Sequence, residues 1–282
     1  MLHEIEPSIF DIGMQFVEPL SDDTALCFCA STAGGNLDCV FADREPDGSL
    51  RYPTCGEVGE DARFTYLFTI DERRFFLARA IKPDTAPAVP KRFEALRVGS
   101  LLPEQPNSLA FAAATGLHLA TWYRDNEFCG RCAMRLLPSE TERALACPTC
   151  GATFYPRISP AVIVAVTDGD RLLLTKYAHG TYRKHALVAG FVEIGETPEQ
   201  AVHREVLEEC GVRVKNIRYF GSQPWGLTGA LMLGFFAELD GNDTVSLNDG
   251  ELSWAGWIAR ADIEDDYDYA LGRAMINAFL AR

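Results

Sequence analysis

The sequence predicts an α/β fold class for the C-terminal part of this 282-residue chain, and three observations predict it. The run Ala161 to Val166 is wholly apolar and has the length of a buried strand. Residues 198–210 read as a capped amphipathic helix, and from Ile158 strand-like and helix-like stretches alternate to the end. Ahead of that part, the texture from Asn126 to Pro156 changes to Cys, Pro, Gly and Arg. The expected organisation is an N-terminal domain over 1–105, a connecting helix over 106–125, a ribbon over 126–157 and an α/β domain over 158–282.

Composition bounds the function. Hydrophobic residues make up 48% and charged residues 23%, which excludes collagen-like, disordered and membrane-spanning classes. The balance of 26 Lys+Arg against 40 Asp+Glu gives a net charge of -14, which argues against a surface built to grip long polyanions. It leaves room for a small phosphate ligand held through metal ions. The first residues, MLHEIEPSIFDIGMQF, have acids where a secretory signal needs a basic start, and no apolar run is long enough to span a bilayer. A cytoplasmic protein with no membrane partner is expected, and nine cysteines, an odd number, fit reduced thiols better than a disulfide scaffold.

In chain order, residues 1 to about 100 mix apolar stretches such as Thr65–Ile70 and Arg74–Arg79 with turn residues, then meet Pro83, Pro87 and Pro90. This reads as a small α/β or β-rich domain without a motif. Its four cysteines, Cys27, Cys29, Cys39 and Cys55, are expected to pack as small hydrophobes. After Pro103 and Pro106, Ser108 caps a connecting or packing helix through Trp122; His118 on it has no chemical partner in sequence.

Cys129-Gly-Arg-Cys132 and Cys147-Pro-Thr-Cys150 then form two Cys-x-x-Cys knuckles separated by fourteen residues. Two such turns supply a closed tetrahedral thiolate shell, which suits Zn²⁺ in a structural role, because no position is left open for water. The shell staples a segment too poor in apolar residues to build its own core.

The most informative stretch runs from Gly190 to Val212. Thr197 caps the helix, Pro198 suits its first turn, Gln200 completes a capping box and Gly211 stops it. At about 100° per residue, Glu205, Glu208 and Glu209 share an arc of about 100°, while Val202, Val206, Leu207 and Cys210 are expected on a core face. Carboxylates at such spacing repel, and Mg²⁺ or Mn²⁺ would offset this while holding substrate phosphates.

Gly190, five residues, Glu196, seven residues, then Arg204-Glu205-Val206-x-Glu208-Glu209-x-Gly211-Val212 resembles the Nudix box at every defined position. The resemblance implies an α/β/α sandwich with a mixed sheet and hydrolysis of a nucleoside diphosphate linked to another group. It implies that Glu205, Glu208 and Glu209 bind catalytic metal, and that Glu196 and Arg204 brace each other as orienting residues. A four-Cys ribbon directly before such a domain resembles the NADH pyrophosphatase subfamily, as do Pro138 to Ala144, including Glu142, and the ribbon exit with Tyr155. Ser222-Gln223-Pro224-Trp225 resembles the start of the subfamily's marker, whose Trp helps sandwich the nicotinamide ring, with Phe191 as the opposite face. Beyond Trp225 the marker departs: Gly226-Leu-Thr-Gly229-Ala230 replaces its Pro-Phe-Pro and Ser, and two glycines are expected to loosen the loop. Glu251 aligns with a downstream metal glutamate, and the Ala189 carbonyl is a further implied ligand.

The reaction so implied is cleavage of NAD(H) by water to AMP and nicotinamide mononucleotide, in a homodimer. Three alternatives stand beside it: removal of a 5′ NAD cap from RNA, with Arg131, Arg135, Arg143 and Arg157 as a local basic cluster; hydrolysis of another nucleoside diphosphate derivative such as ADP-ribose; and a non-catalytic ribbon module that binds protein or nucleic acid.

Overall fold

A computed structural model describes all residues except 15–16, 33, 82–84, 105–106, 181–183, 248–249, 265–268 and 282. Pro83, Pro106, Asp249 and the 105/106 boundary lie outside the described residues. The chain forms two compact units, one of Leu2–Arg157 with Gly226–Gly229, the other of Met1, Ile158–Trp225 and Ala230–Arg282.

The first unit is β-rich. It begins with β1 (Phe10–Asp11), β2 (Thr24–Cys29), β3 (Cys39–Arg44), β4 (Leu50–Arg51), β5 (Ala62–Ile70), β6 (Arg73–Ala80) and β7 (Glu94–Arg97). They form a sheet in the order β1-β5-β6-β2-β3-β4, with β7 also paired to β3. After the short α1 (Val98–Leu101), α2 (Asn107–Asp125) packs its Ala- and Leu-rich side on β2, β5 and β6. Tyr52 ties in α2 by donating its hydroxyl to the Leu109 carbonyl at 2.8 Å. Cys27 and Cys55 are buried among Ala25, Tyr66 and Phe76, as small hydrophobes would be. His118 on α2 does have a partner, the Arg157 carbonyl at 2.7 Å.

The ribbon is a sheet of three two-residue strands, β8 (Leu137–Pro138), β9 (Leu145–Ala146) and β10 (Thr153–Phe154), in the order β10-β9-β8. Strands this short bury little area, so the two knuckles, one before β8 and one between β9 and β10, must hold the segment together.

The second unit holds β11 (Ser159–Asp168), β12 (Arg171–Tyr177), β13 (Val188–Phe191), α3 (Pro198–Cys210), β14 (Val214–Trp225), β15 (Ala230–Leu239), β16 (Leu252–Ala259) and α4 (Leu271–Leu280). Its mixed sheet runs β14-β15-β11-β12-β16, with β13 also on β11; β11 and β15 are parallel and the other pairs antiparallel. The apolar run of β11 faces two ways, as strand periodicity requires. Val162, Val164 and Val166 pack under α3 with Val202, Val206 and Cys210. Ala165, with Leu172 and Leu174 of β12, packs under α4 with Met275 and Phe279. Helices thus cover both faces of one sheet, the α/β/α sandwich.

Candidate active site

The sequence sets the limits of α3 by local chemistry. The Gln200 backbone N–H donates to the Thr197 hydroxyl, and the Thr197 N–H donates to the Gln200 side chain at 2.8 Å, so two orphan donors are satisfied reciprocally. Gly211 ends the helix in the left-handed region at φ 71°.

The helix turns differently from the expected division into a carboxylate face and a core face. Ala201, Val202, Val206, Glu209 and Cys210 are buried, whereas Leu207 is 48% exposed. The inward arc is centred between Glu205 and Val206 and includes Glu209, so placing Leu207 on the core face is corrected. Leu207 lies about 200° round from Glu205, which directs it away from the sheet. Glu205 and Glu209 therefore stand on the sheet side of α3, while Glu208 is exposed at the edge.

Arg204 organises the site. Its Nε and Nη2 donate to the two carboxylate oxygens of Glu196 at 2.9 and 2.7 Å, a bidentate pair. Its Nη1 donates to Glu205 at 2.7 Å and Glu208 at 3.1 Å, and its Nη2 also reaches the Phe191 carbonyl at 2.8 Å. Glu196 accepts in addition from the Glu193 N–H at 3.0 Å, which closes the loop between β13 and α3. One guanidinium thus joins three carboxylates to the end of β13. The Arg204 bonds, then the Glu193 N–H, hold the Glu196 carboxyl below its ordinary pKa. Burial, aided by the charges of Glu208 and Glu251, pushes Glu205 up despite Arg204. Glu251 therefore acts on the same site, from the residue just before β16; its carbonyl accepts from the Ala178 N–H at 2.8 Å.

Gly190 has a role that the spacing rule alone did not reveal. A Cβ built there would lie 2.0 Å from the Glu205 carboxyl carbon, so only glycine lets that carboxylate meet the backbone of β13. Ala189 is the adjoining residue of the strand, next to this contact. The signal was in the sequence, since a glycine inside a strand marks close approach.

Phe191 and Trp225 belong to the opposite face. Phe191, Ala161, Met232 and Gln223 stand in register across β13, β11, β15 and β14, and Met232 packs on the α4 side. Trp225, two residues beyond Gln223, shares that face at the same end of the sheet. Three strand spacings, about 14 Å, separate the strands that carry the two rings. Phe191 is 51% exposed, Trp225 half-buried and Pro224 exposed.

Gln223 is not available to a ligand, which corrects its expected part in substrate binding. It is 1% exposed, its amide Nε2 donates to the Tyr269 carbonyl at 2.9 Å, and its Oε1 accepts from the Leu271 N–H at 2.7 Å. Its amide therefore satisfies a backbone donor at the start of α4. The first of the two glycines after Trp225 is held by packing. Gly226 lies so close to α2 that a Cβ would come within 2.1 Å of the Ala114 carbonyl oxygen, which makes glycine a packing requirement there. In the first unit the exposed Tyr155 donates its hydroxyl to Glu142 at 3.0 Å.

The four cysteines converge. Cys129 and Cys150 sulfurs are 3.6 Å apart, Cys132 and Cys147 sulfurs 3.4 Å apart, and all four lie within 4.8 Å of one another. Among the described residues they are the only group of three or more His, Cys, Asp or Glu side chains gathered so closely. Backbone N–H groups point at the sulfurs, Arg131 to Cys129 at 3.4 Å and Cys150 to Cys147 at 3.5 Å. The Cys150 N–H foremost lowers the Cys147 thiol to about 6, so a thiolate is favoured before any cation arrives. Soft donors in a closed tetrahedral set fit a structural Zn²⁺.

The basic cluster expected in and beside the ribbon is partly committed elsewhere. Arg143 donates to the Leu67 carbonyl at 2.6 Å and the Ile12 carbonyl at 3.1 Å, and Arg135 pairs with Glu127 at 2.6 Å.

Comparison with known proteins agrees with this geometry. The NUDIX domain family matches residues 157–279, and the NADH pyrophosphatase zinc ribbon domain matches residues 124–155. A protein of Citrobacter koseri named NAD-capped RNA hydrolase NudC is 44% identical over 160 residues, 57% of this chain and 62% of the relative. Its namesake from Shigella flexneri is 45% identical over 151 residues, 54% of this chain and 58% of the relative. The matches thus span about six-tenths of these relatives' own length. The crystal structure of a Nudix hydrolase from Nitrosomonas europaea is 27% identical, covering 49% of this chain and 80% of that one, with a TM-score of 0.44. With its capped acidic helix, arginine-braced glutamates and four-cysteine ribbon, the chain carries a Nudix domain over residues 157–279, preceded by a segment that matches the zinc ribbon of the NADH pyrophosphatases.

Proposed function

We propose that this chain hydrolyses the diphosphate bond of NAD(H), giving AMP and nicotinamide mononucleotide. The observation that carries the reading is the single end of the sheet where Gly190 and Glu205 occupy the α3 face and Phe191 and Trp225 the α4 face. A dinucleotide passing over that end would present its diphosphate to the carboxylates and its nicotinamide ring to the aromatics. Glu205, Glu208, Glu209 and Glu251, with the Ala189 carbonyl, would hold Mg²⁺ or Mn²⁺. Such ions neutralise phosphate charge and make bound water nucleophilic at neutral pH. Arg204 aims Glu205 and Glu208, and Glu196 keeps Arg204 in place. A glutamate of this set, Glu208 or Glu209, takes the proton of the attacking water. Pro224 completes the proposed substrate contacts of the second unit. A homodimer in the cytoplasm is part of the same reading; the ribbon thiolates require the reduced state such a compartment maintains.

The test is to incubate the protein and Mn²⁺ with NADH, NAD⁺, ADP-ribose, FAD and diadenosine polyphosphates and identify products by mass. AMP with nicotinamide mononucleotide from NAD(H) as best substrate is expected, and ADP-ribose as clearly the best would overturn the nicotinamide assignment. Glu205→Gln should lower turnover at least about a thousandfold while circular dichroism and melting temperature stay near wild type. The name of the 44% identical relative favours a second substrate for the same cleavage, an RNA with a 5′ NAD cap. Release of 5′-monophosphate RNA from a capped transcript would establish it.

A further inference from the structure

The sheet of the first unit holds a cationic group that the hydrolase chemistry leaves unused. The register of β5 on β6 sets Arg63 directly opposite Arg79. Like charges in that position repel and weaken a ladder. Arg79 is half-buried, with its guanidinium carbon 5.2 Å from the centre of the Tyr123 ring and its Nη2 donating to the Thr65 hydroxyl at 3.2 Å. Its Nε is buried and makes no hydrogen bond. Arg135 is near enough to repel Arg79, and Arg143 donates to the Tyr123 hydroxyl. Among the described residues Glu127 is the carboxylate that acts on Arg79, and it is already paired with Arg135 at 2.6 Å. Among the described residues no carboxylate forms an ion pair with Arg63, Arg79 or Arg143. Burial first, then Arg135 and Arg63, depress the Arg79 pKa.

An unsatisfied buried donor, a cross-strand pair of like charges and a third guanidinium are each unfavourable in isolation. Their convergence in a chain of net charge -14 asks for one explanation. An oxyanion supplies it: it screens Arg63 from Arg79 and offers enough lone pairs for the outward N–H groups of several guanidinium forks. We infer that Arg63, Arg79 and Arg135, with Thr65 and Tyr123 as walls, form a binding site for a phosphate group, either free phosphate or pyrophosphate or the phosphodiester of an RNA. None of the α3 carboxylates takes part, so the site does not depend on the hydrolase reading.

The experiment uses the full zinc-loaded chain. Binding of inorganic phosphate, pyrophosphate and a fluorescent 5′-phosphorylated oligoribonucleotide is measured by calorimetry and anisotropy against sodium chloride at matched ionic strength. Wild type should bind at least one of the three, Arg63→Ala at least about fivefold more weakly and Arg79→Gln more weakly still. Arg63 is exposed, so Arg63→Ala remains informative if Arg79→Gln fails to fold. Oligonucleotide binding at least tenfold tighter than phosphate, with a salt slope about one unit smaller in Arg63→Ala, assigns the site to RNA. Pyrophosphate binding as tight as the oligonucleotide assigns it to the free anion. Absence of binding by all three probes, or equal binding by wild type and Arg63→Ala, would overturn the inference. NADH turnover by Arg63→Ala should stay within twofold of wild type; a parallel loss would refute a separate site.

Discussion

Single residues decide the geometry of the carboxylate site more than their chemical types do. Glu205 is held between Arg204, which donates to it at 2.7 Å, and the bare backbone at Gly190. Gly190→Ala introduces a methyl where the Glu205 carboxylate lies, so the side chain must leave. The expected outcome is a fall in turnover of at least about a hundredfold with weakened Mn²⁺ binding, against a stability loss of only about 1 kcal/mol. Steady-state kinetics over a metal titration, paired with urea melts, check both parts. Equal loss of folding and activity would show that Gly190 is needed for the strand rather than for Glu205.

On the scale of the element, α3 is a helix whose ends are fixed by local sequence and whose rotation is fixed by packing. Its charged residues link it to the loop before it, chiefly through Arg204 and Glu196. Because Arg204 holds Glu196 below its ordinary 4.5, the folded state binds that proton less readily than the unfolded one. The stabilisation is present above 4.5 and is lost as pH falls through the lowered folded value. Glu205, raised by burial, acts with the opposite sign: its charge costs stability near neutral pH, and protonation relieves that cost. Arg204→Gln should therefore have a much lower urea midpoint than wild type at pH 7 and a smaller deficit at pH 3. A deficit independent of pH would mean that Arg204 acts by packing alone.

For the molecule as a whole, the two units draw on different sources of stability. The second unit has a core on each face of its sheet, with fully buried Val162, Val164, Leu172, Leu173 and Met275. The ribbon has three two-residue strands and its cysteine cluster. Removing zinc with a chelator should therefore raise hydrogen exchange first in residues 126–157, leaving the α3 amides protected. One zinc per chain is expected in the native protein, and Cys147→Ser should lose it. Simultaneous exposure of α3 and the ribbon would show that the metal supports more than its own segment. No described helix is long and apolar enough to cross a membrane.

Much of this was legible in the sequence because the governing interactions are local. Thr197, Pro198, Gln200 and Gly211 fix the ends of α3 through atoms within four residues of one another, and each knuckle closes within a Cys-x-x-Cys turn. The alternation of strand and helix after Ile158 likewise gave the α/β class, since hydrophobic period follows backbone repeat. What local order could not supply was the rotation of α3, which left Leu207 outside and drew Glu209 inside. It also hid Gln223, whose partners Tyr269 and Leu271 are more than forty residues away. The opposition of Arg63 and Arg79 follows from the register of β5 on β6, and the crowding of Gly226 against Ala114 from packing on α2. The sequence by itself determined which segments form helix, ribbon and strand and which residue types can hold metal, because those depend on neighbours along the chain. Only the tertiary structure decided which side chains meet, because burial and strand register are set by contacts that distant segments make together.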